Sequence, residues 1–445
     1  MGIRAGWRNR GLRLTAAAGP GILLWPDAAA AAEGLDTGDT AWILVSTALV
    51  LFMTIPGLAL FYGGLVRTRN VLSLLMQCLS ITAAVTVLWL LFGYSLAFDT
   101  AGMESGRLGL HAFIGGLSKA MLAGVDGNTL SGTIPEVLFF CFQLTFAIIT
   151  PALIIGAFAE RIRFSAMLAF SCLWLVFAYL PVCHMVWGGE GAFLADLGVF
   201  DFAGGIVVHI TAGVAALVAA LLIGPRQGYP QTAMPPHNLT MTFTGTAMLW
   251  VGWFGFNAGS ALGANGDAAM ALAVTHISAS VATLTWMAIE WVRHGRPSLL
   301  GAATGSIAGL AAITPASGFV GPPGALVIGI ASGSLCYLAA TSVKRRFGYD
   351  DSLDVFGVHG VGGFIGTVLV GLFAAGSLGG NQGDLAIGRQ LAVQLAAAVG
   401  VALYTAAVSW LLLRAVDAAL GLRVDLQEEI TGLDISQHEE SGYNF

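Results

Sequence analysis

Eleven stretches of this chain are apolar over about 20 residues, the length a helix needs to cross a bilayer. They cover residues 41–64, 71–98, 137–159, 164–187, 202–223, 237–261, 268–292, 298–318, 323–343, 355–376 and 388–414. Backbone in hydrocarbon must satisfy its own hydrogen bonds, so only helices and closed barrels span a membrane. Barrel strands are short and alternate in polarity, whereas these runs are long and continuous. Only 10% of the 445 residues are charged, against about 25% in soluble domains. The expectation is an all-α integral membrane protein with eleven transmembrane helices. The 60 glycines, about 13% of the chain against roughly 7% on average, fit helices that approach closely.

The connectors alternate in charge. One set carries Arg67, Arg69, Arg161, Arg163, Arg226, Arg293, Arg296, Lys344, Arg345 and Arg346; the other has only Arg107, Lys119 and Arg389 as basic residues. The positive-inside rule makes the first set cytoplasmic, with the N-terminus outside and the C-terminus inside. Residues 1–32 read as a cleaved signal peptide: Arg4, Arg8, Arg10 and Arg13 precede a short apolar run and the small residues Ala28–Ala32. Residues 33–420 form the membrane domain. Residues 421–445 form an acidic cytoplasmic tail, flexible in part and a candidate dock for a regulatory protein.

Eleven spans divide as five, five and one. A five-span unit ends on the side opposite its start, so two in succession are inverted repeats, which place a site at mid-membrane between the halves. His209 in the fifth span and His359 in the tenth hold equivalent places and share the pattern Val-His-x-x-x-Gly, 150 residues apart. Ionisable groups within hydrocarbon are costly and mark pathways, so the two histidines are read as lining one conduit. Asp201 and Asp354 precede them by eight and five residues. Each reads as a helix cap, or as an electrostatic aid to a cation at each mouth. Aromatic residues gather at Phe139–Phe146, with Trp187 on the next span, and at Trp250–Phe256. Such faces also bind cations.

Other polar groups read as structural: Glu160 as a partner of Arg161 and Arg163, with His184, His276 and Glu290 at or within spans. The five cysteines lack metal or disulfide spacing and read as packing residues. There is no phosphate loop, and nothing points to an enzyme, a cofactor, a metal or nucleic acid. Two other classes compete with transport: a redox subunit with the histidines as axial haem ligands, and a sensor.

The chain resembles the ammonium transporter (Amt/Mep/Rh) family, of the bacterial Amt type. The likeness is carried by Gly156–Ala166, His184–Gly189, Asp201–Gly205 through His209, Gly252–Ser260 and Asp354–Gly360. It implies nitrogen uptake through a channel-like transporter of the cell inner membrane. Phe142, Trp187 and Ser260 would line an outer ammonium site, supported by Asp201. Phe146 and Phe256 would form a stacked gate, with Trp253 beside it, and His209 and His359 would be the paired histidines of the pore. It further implies a homotrimer and a cytoplasmic PII-type signal protein as partner. Glu190 departs from the small or apolar residues expected in the loop after Trp187.

Overall fold

The computed structural model describes residues 34–443. The signal-peptide reading of residues 1–32 lies outside them. Nine helices among the described residues are long and apolar enough to cross a membrane: α1 (Thr37–Leu65), α2 (Thr68–Phe98), α3 (Glu136–Ala157), α4 (Phe164–Trp187), α5 (Gly205–Ile223), α7 (Gly266–His294), α9 (Pro322–Phe347), α10 (Phe356–Phe373) and α11 (Ile387–Leu420). Two more occupy the remaining expected places. One is α6 (Leu239–Gly259), whose first half is rich in threonine; the other is α8 (Leu299–Ile313), apolar but only 15 residues long.

Several helices carry a π-helical turn, a local widening that recurs at functional sites. The turns at Gly205–Ile210 and Phe356–Gly360 open α5 and α10, and each contains one of the two histidines. Those two helices cross at glycines. A methyl group on Gly213 would overlap the backbone of Gly360, and one on Gly363 would meet the Cβ of His209 and the carbonyl of Gly205. Gly213 and Gly363 each lie four residues after a histidine. The shared motif is therefore a crossing device: the glycine of each helix admits the histidine segment of the other.

The face bearing the basic connectors is tied together by buried charge. Arg161 is fully buried and donates to the carbonyls of Ala157, Ala159, Gly224 and Asp350 and to Ser352 Oγ at 2.6–3.1 Å. Glu160 pairs with Arg67 at 2.8 Å and Arg226 at 3.3 Å, not with its chain neighbours Arg161 and Arg163. The neighbouring guanidiniums are spent on carbonyls, which leaves the more distant ones to Glu160. Arg226 also grips Asp350 at 2.8 Å. Burial would raise the Asp350 and Glu160 carboxyls, but Arg226, joined at Glu160 by Arg67, brings both below the ordinary range. Burial pushes Asp351 the other way, up to about 6.

The tail is more ordered than expected. Helices α12 (Leu426–Thr431) and α13 (Leu433–His438) follow a short bridge between Ile162 and Arg423. Asp434 accepts from the amide of Ser73 at 2.8 Å, Asn70 from that of Leu433 at 2.8 Å, and Glu429 from that of Gln227 at 2.6 Å. Free amides at the start of α2 and in the loops supply the donors that the acidic composition needs.

Candidate functional site

Helix α3 presents Phe142 and Phe146 one turn apart, their rings edge to face at 5.1 Å. Phe146 also meets Trp187 of α4 at 5.7 Å and Phe256 of α6 at 4.5 Å. Phe256 lies parallel to the His209 ring at 6.0 Å, and Trp253 stacks on the same ring at 5.5 Å. His209 then faces His359, with centroids 5.2 Å apart and planes inclined by 23°. Four helices thus supply one continuous file of rings: Phe142, Phe146, Phe256, His209, His359. All five are nearly or fully buried.

The two Nδ1 atoms are 3.3 Å apart. One must donate and the other accept. In neutral imidazoles each Nε2 then takes the opposite character to its own Nδ1, so the pair presents one donor and one acceptor. His209 Nε2 is buried with no hydrogen-bond partner among the described residues. It lines a cavity of about 10 Å³ walled by Phe61, Ile149, Leu153, Leu249, Trp253 and Phe256 among others, room for one small molecule at most. The two rings meet through Nδ1, and the cavity beside them is far too small for a porphyrin. Among the described residues no cluster of ligating side chains could hold a metal.

Each histidine is aimed by the start of its helix. Gly204 turns with φ +120°, and the Asp201 carboxylate accepts the amides of Gly204, Gly205, Ile206 and Val207 at 2.5–3.0 Å. Its backbone carbonyl takes Trp187 Nε1–H at 2.8 Å, which ties the indole to the start of α5. The equivalent cap of α10 is Asp351, which accepts from Phe356 N at 2.8 Å. The cap reading fails for Asp354: its backbone is left-handed (φ +60°) and its carboxylate pairs with Lys344 at 2.7 Å. Ser260, at the end of α6, donates to the Phe256 carbonyl at 2.8 Å, which leaves its oxygen lone pairs available.

The remaining polar residues stand outside the file of rings. His184 is buried between the carbonyls of Ala97 and His111 at 2.9 and 2.8 Å. His276 is exposed on the outer face of α7 against Trp250 and Phe254, remote from the file. Glu290 accepts from Ser298 N at the start of α8. Glu190 is exposed beyond Trp187. Sequence reasoning missed Thr314, which accepts Trp253 Nε1–H at 2.9 Å from 61 residues away. It also missed the apolar wall of Phe61, Ile149 and Leu153, whose types do not set them apart from lipid-facing neighbours.

Comparison with known proteins gives one consistent result. Residues 41–443 match the model of the Ammonium Transporter Family. An ammonium transporter of Aquifex aeolicus is 46% identical over 412 residues, covering 92% of this chain and 94% of that one. Among solved structures, Saccharomyces cerevisiae Mep2 superposes with a TM-score of 0.79 at 36% identity, over 88% of each chain. A structure titled "Sensor Amt Protein" superposes with a TM-score of 0.82 at 27% identity, over 90% of this chain and 98% of that one.

Proposed function

This chain belongs to the ammonium transporter family, a multi-pass membrane transporter of ammonium, and on that premise we propose how it works. Ammonium is recruited at Phe142, Trp187 and Ser260, where ring faces and a hydroxyl oxygen replace part of its hydration. Stripping a monovalent ion completely costs several kcal/mol even after relaxation, so the ion hands a proton to water at the outer mouth and ammonia passes Phe146 and Phe256. Ammonia then exchanges hydrogen bonds with the donor and acceptor nitrogens of His209 and His359. The proton either stays behind or follows through the pair. Potassium has no proton to lose and is excluded. The observation that carries this reading is the unbroken file of buried rings ending in two hydrogen-bonded histidines.

The rest of the proposal concerns arrangement. Eleven spans form two inverted five-helix repeats plus one; the crossing of α5 and α10 at Gly213 and Gly363, each four residues after its histidine, supports that pseudo-symmetry. The basic face, with Arg67, Arg161, Arg226 and the folded tail, is cytoplasmic, and the N-terminus lies outside the inner membrane. A homotrimer and a PII-type partner at the cytoplasmic face complete the proposal.

Proteoliposome flux with simultaneous pH and current recording tests the mechanism. Wild type is expected to move ammonium and no potassium. His209→Ala is expected to change the ratio of charge to ammonia moved, because the donor–acceptor pair is gone. Potassium currents as large as ammonium currents in wild type would sink the reading. The likeness to a sensor Amt protein favours a second reading, ammonium sensing. Protein that binds ammonium and moves none would establish it.

A further inference from the structure

Below the histidines the path opens into a vestibule of about 310 Å³ on the basic face, and His359 lines both this vestibule and the small cavity above it. Two charged groups on the vestibule wall, Asp354 and Lys344, are bound to each other: Lys344 Nζ lies 2.7 Å from Asp354 Oδ1, with side chains 14% and 33% exposed respectively. Asp354 adopts a left-handed backbone that most L-residues avoid, and it caps no helix, since Asp351 does that work for α10. A carboxylate at the inner end of the path thus holds an alkylammonium ion supplied by the chain itself.

An alkylammonium is the nearest chemical relative of ammonium that a side chain offers. We propose that this vestibule is a product site, where ammonium re-formed on leaving the pore rests on the Asp354 carboxylate, and that Lys344 is a tethered competitor that displaces it. The proposal rests on the ammonium-transport reading. Ammonia emerging past His359 takes one proton from vestibule water, the hydroxide left behind diffuses out of the vestibule to bulk buffer, and the ammonium so formed is a cation beside Asp354. Left alone, the carboxylate would hold that cation and slow the next passage. A tethered rival acts at an effective concentration on the order of millimolar, so the exit stays clear until free ammonium inside reaches that range. Asp354 is the more exposed partner of the pair, so a cation in the vestibule meets its carboxylate without first displacing Lys344 from solvent.

The experiment is inhibition from the inside, with methylammonium as the probe. Proteoliposomes are loaded with graded methylammonium and the inward ammonium flux is measured. Wild type and Lys344→Arg, which keeps a cation on Asp354, are expected to need high internal methylammonium for half inhibition. Lys344→Met is expected to need roughly fivefold less, and Lys344→Met with Asp354→Asn to lose that sensitivity. Equal sensitivity of Lys344→Met and wild type overturns the proposal, as does sensitivity that survives Asp354→Asn. Melting temperatures of the variants show whether they fold. Wild-type protein that moves no ammonium defeats the transport reading instead. Titration calorimetry of methylammonium into detergent-solubilised Lys344→Met then decides the site alone: heat lost with Asp354→Asn supports it, and heat unchanged overturns it.

Discussion

Thr314 has the least conspicuous residue type of any in the site. Its hydroxyl donates to the Leu310 carbonyl at 2.8 Å and accepts Trp253 Nε1–H, so it fixes the indole that backs His209. Thr314→Val keeps the shape and removes the acceptor, leaving a buried N–H unpaired at a cost of about 1–3 kcal/mol. Thermal unfolding in detergent is expected to show that loss, with Thr314→Ser near wild type. Equal melting of Val and wild type would mean that the indole finds another acceptor. Nothing local in the sequence marks this threonine, because its role depends on a helix 61 residues away. The histidines were legible for the opposite reason: an ionisable group inside an apolar run is conspicuous wherever it occurs. The glycines four residues after them were visible as a pattern, but their purpose needed the crossing of α5 and α10. The partners of Glu160 were misjudged because chain proximity stood in for geometry.

At the scale of the helix, the start of α5 is the most tightly defined element. One carboxylate, Asp201, satisfies four successive amides that would otherwise be buried without partners. Asp201→Ala should cost about 2 kcal/mol, the upper end for a lost cap, and should release the amides of Gly204–Val207. Hydrogen exchange checks this directly: those amides should exchange faster, with Asp201→Asn intermediate. Protection unchanged in the alanine variant would show that another group holds the turn. The long apolar helices were legible from length and hydropathy alone. Two were less plain. Helix α6 dilutes its apolar face with threonines whose hydroxyls return to the preceding turn, as Thr246 does to Thr242 at 2.8 Å. Helix α8 ends at Ile313, short of the expected residue 318, where Thr314 and Pro315 begin a turn.

Across the whole molecule, stability should follow the ionic network on the basic face. Asp350 and Glu160 are held below the ordinary carboxylate range in the folded protein. Their contribution is therefore complete above the unfolded value of about 4 and lost as pH falls through the lowered folded values. Melting temperature should be insensitive to these two groups from neutral pH down to about 5 and should drop below about 4. Arg226→Met, which strands the buried Asp350 carboxylate while Arg67 still holds Glu160, should cost about 3–5 kcal/mol at neutral pH and should lose less as the medium is acidified. A variant whose deficit does not shrink in acid would show that Arg226 acts through packing. The network itself was only half legible: the basic connectors were plain, and their pairing across 66 and 124 residues was not.

The glycine crossing of α5 and α10 also decides where this protein can be drugged. With no room for a methyl group between the helices and about 10 Å³ beside the histidines, an inhibitor gains no foothold at the narrowest point. The vestibule of about 310 Å³ at Asp354 and Lys344 can hold a compact molecule. On the proposal made for that vestibule, a cationic head that outcompetes Lys344 would seat there, reached from the basic face rather than through the file of rings.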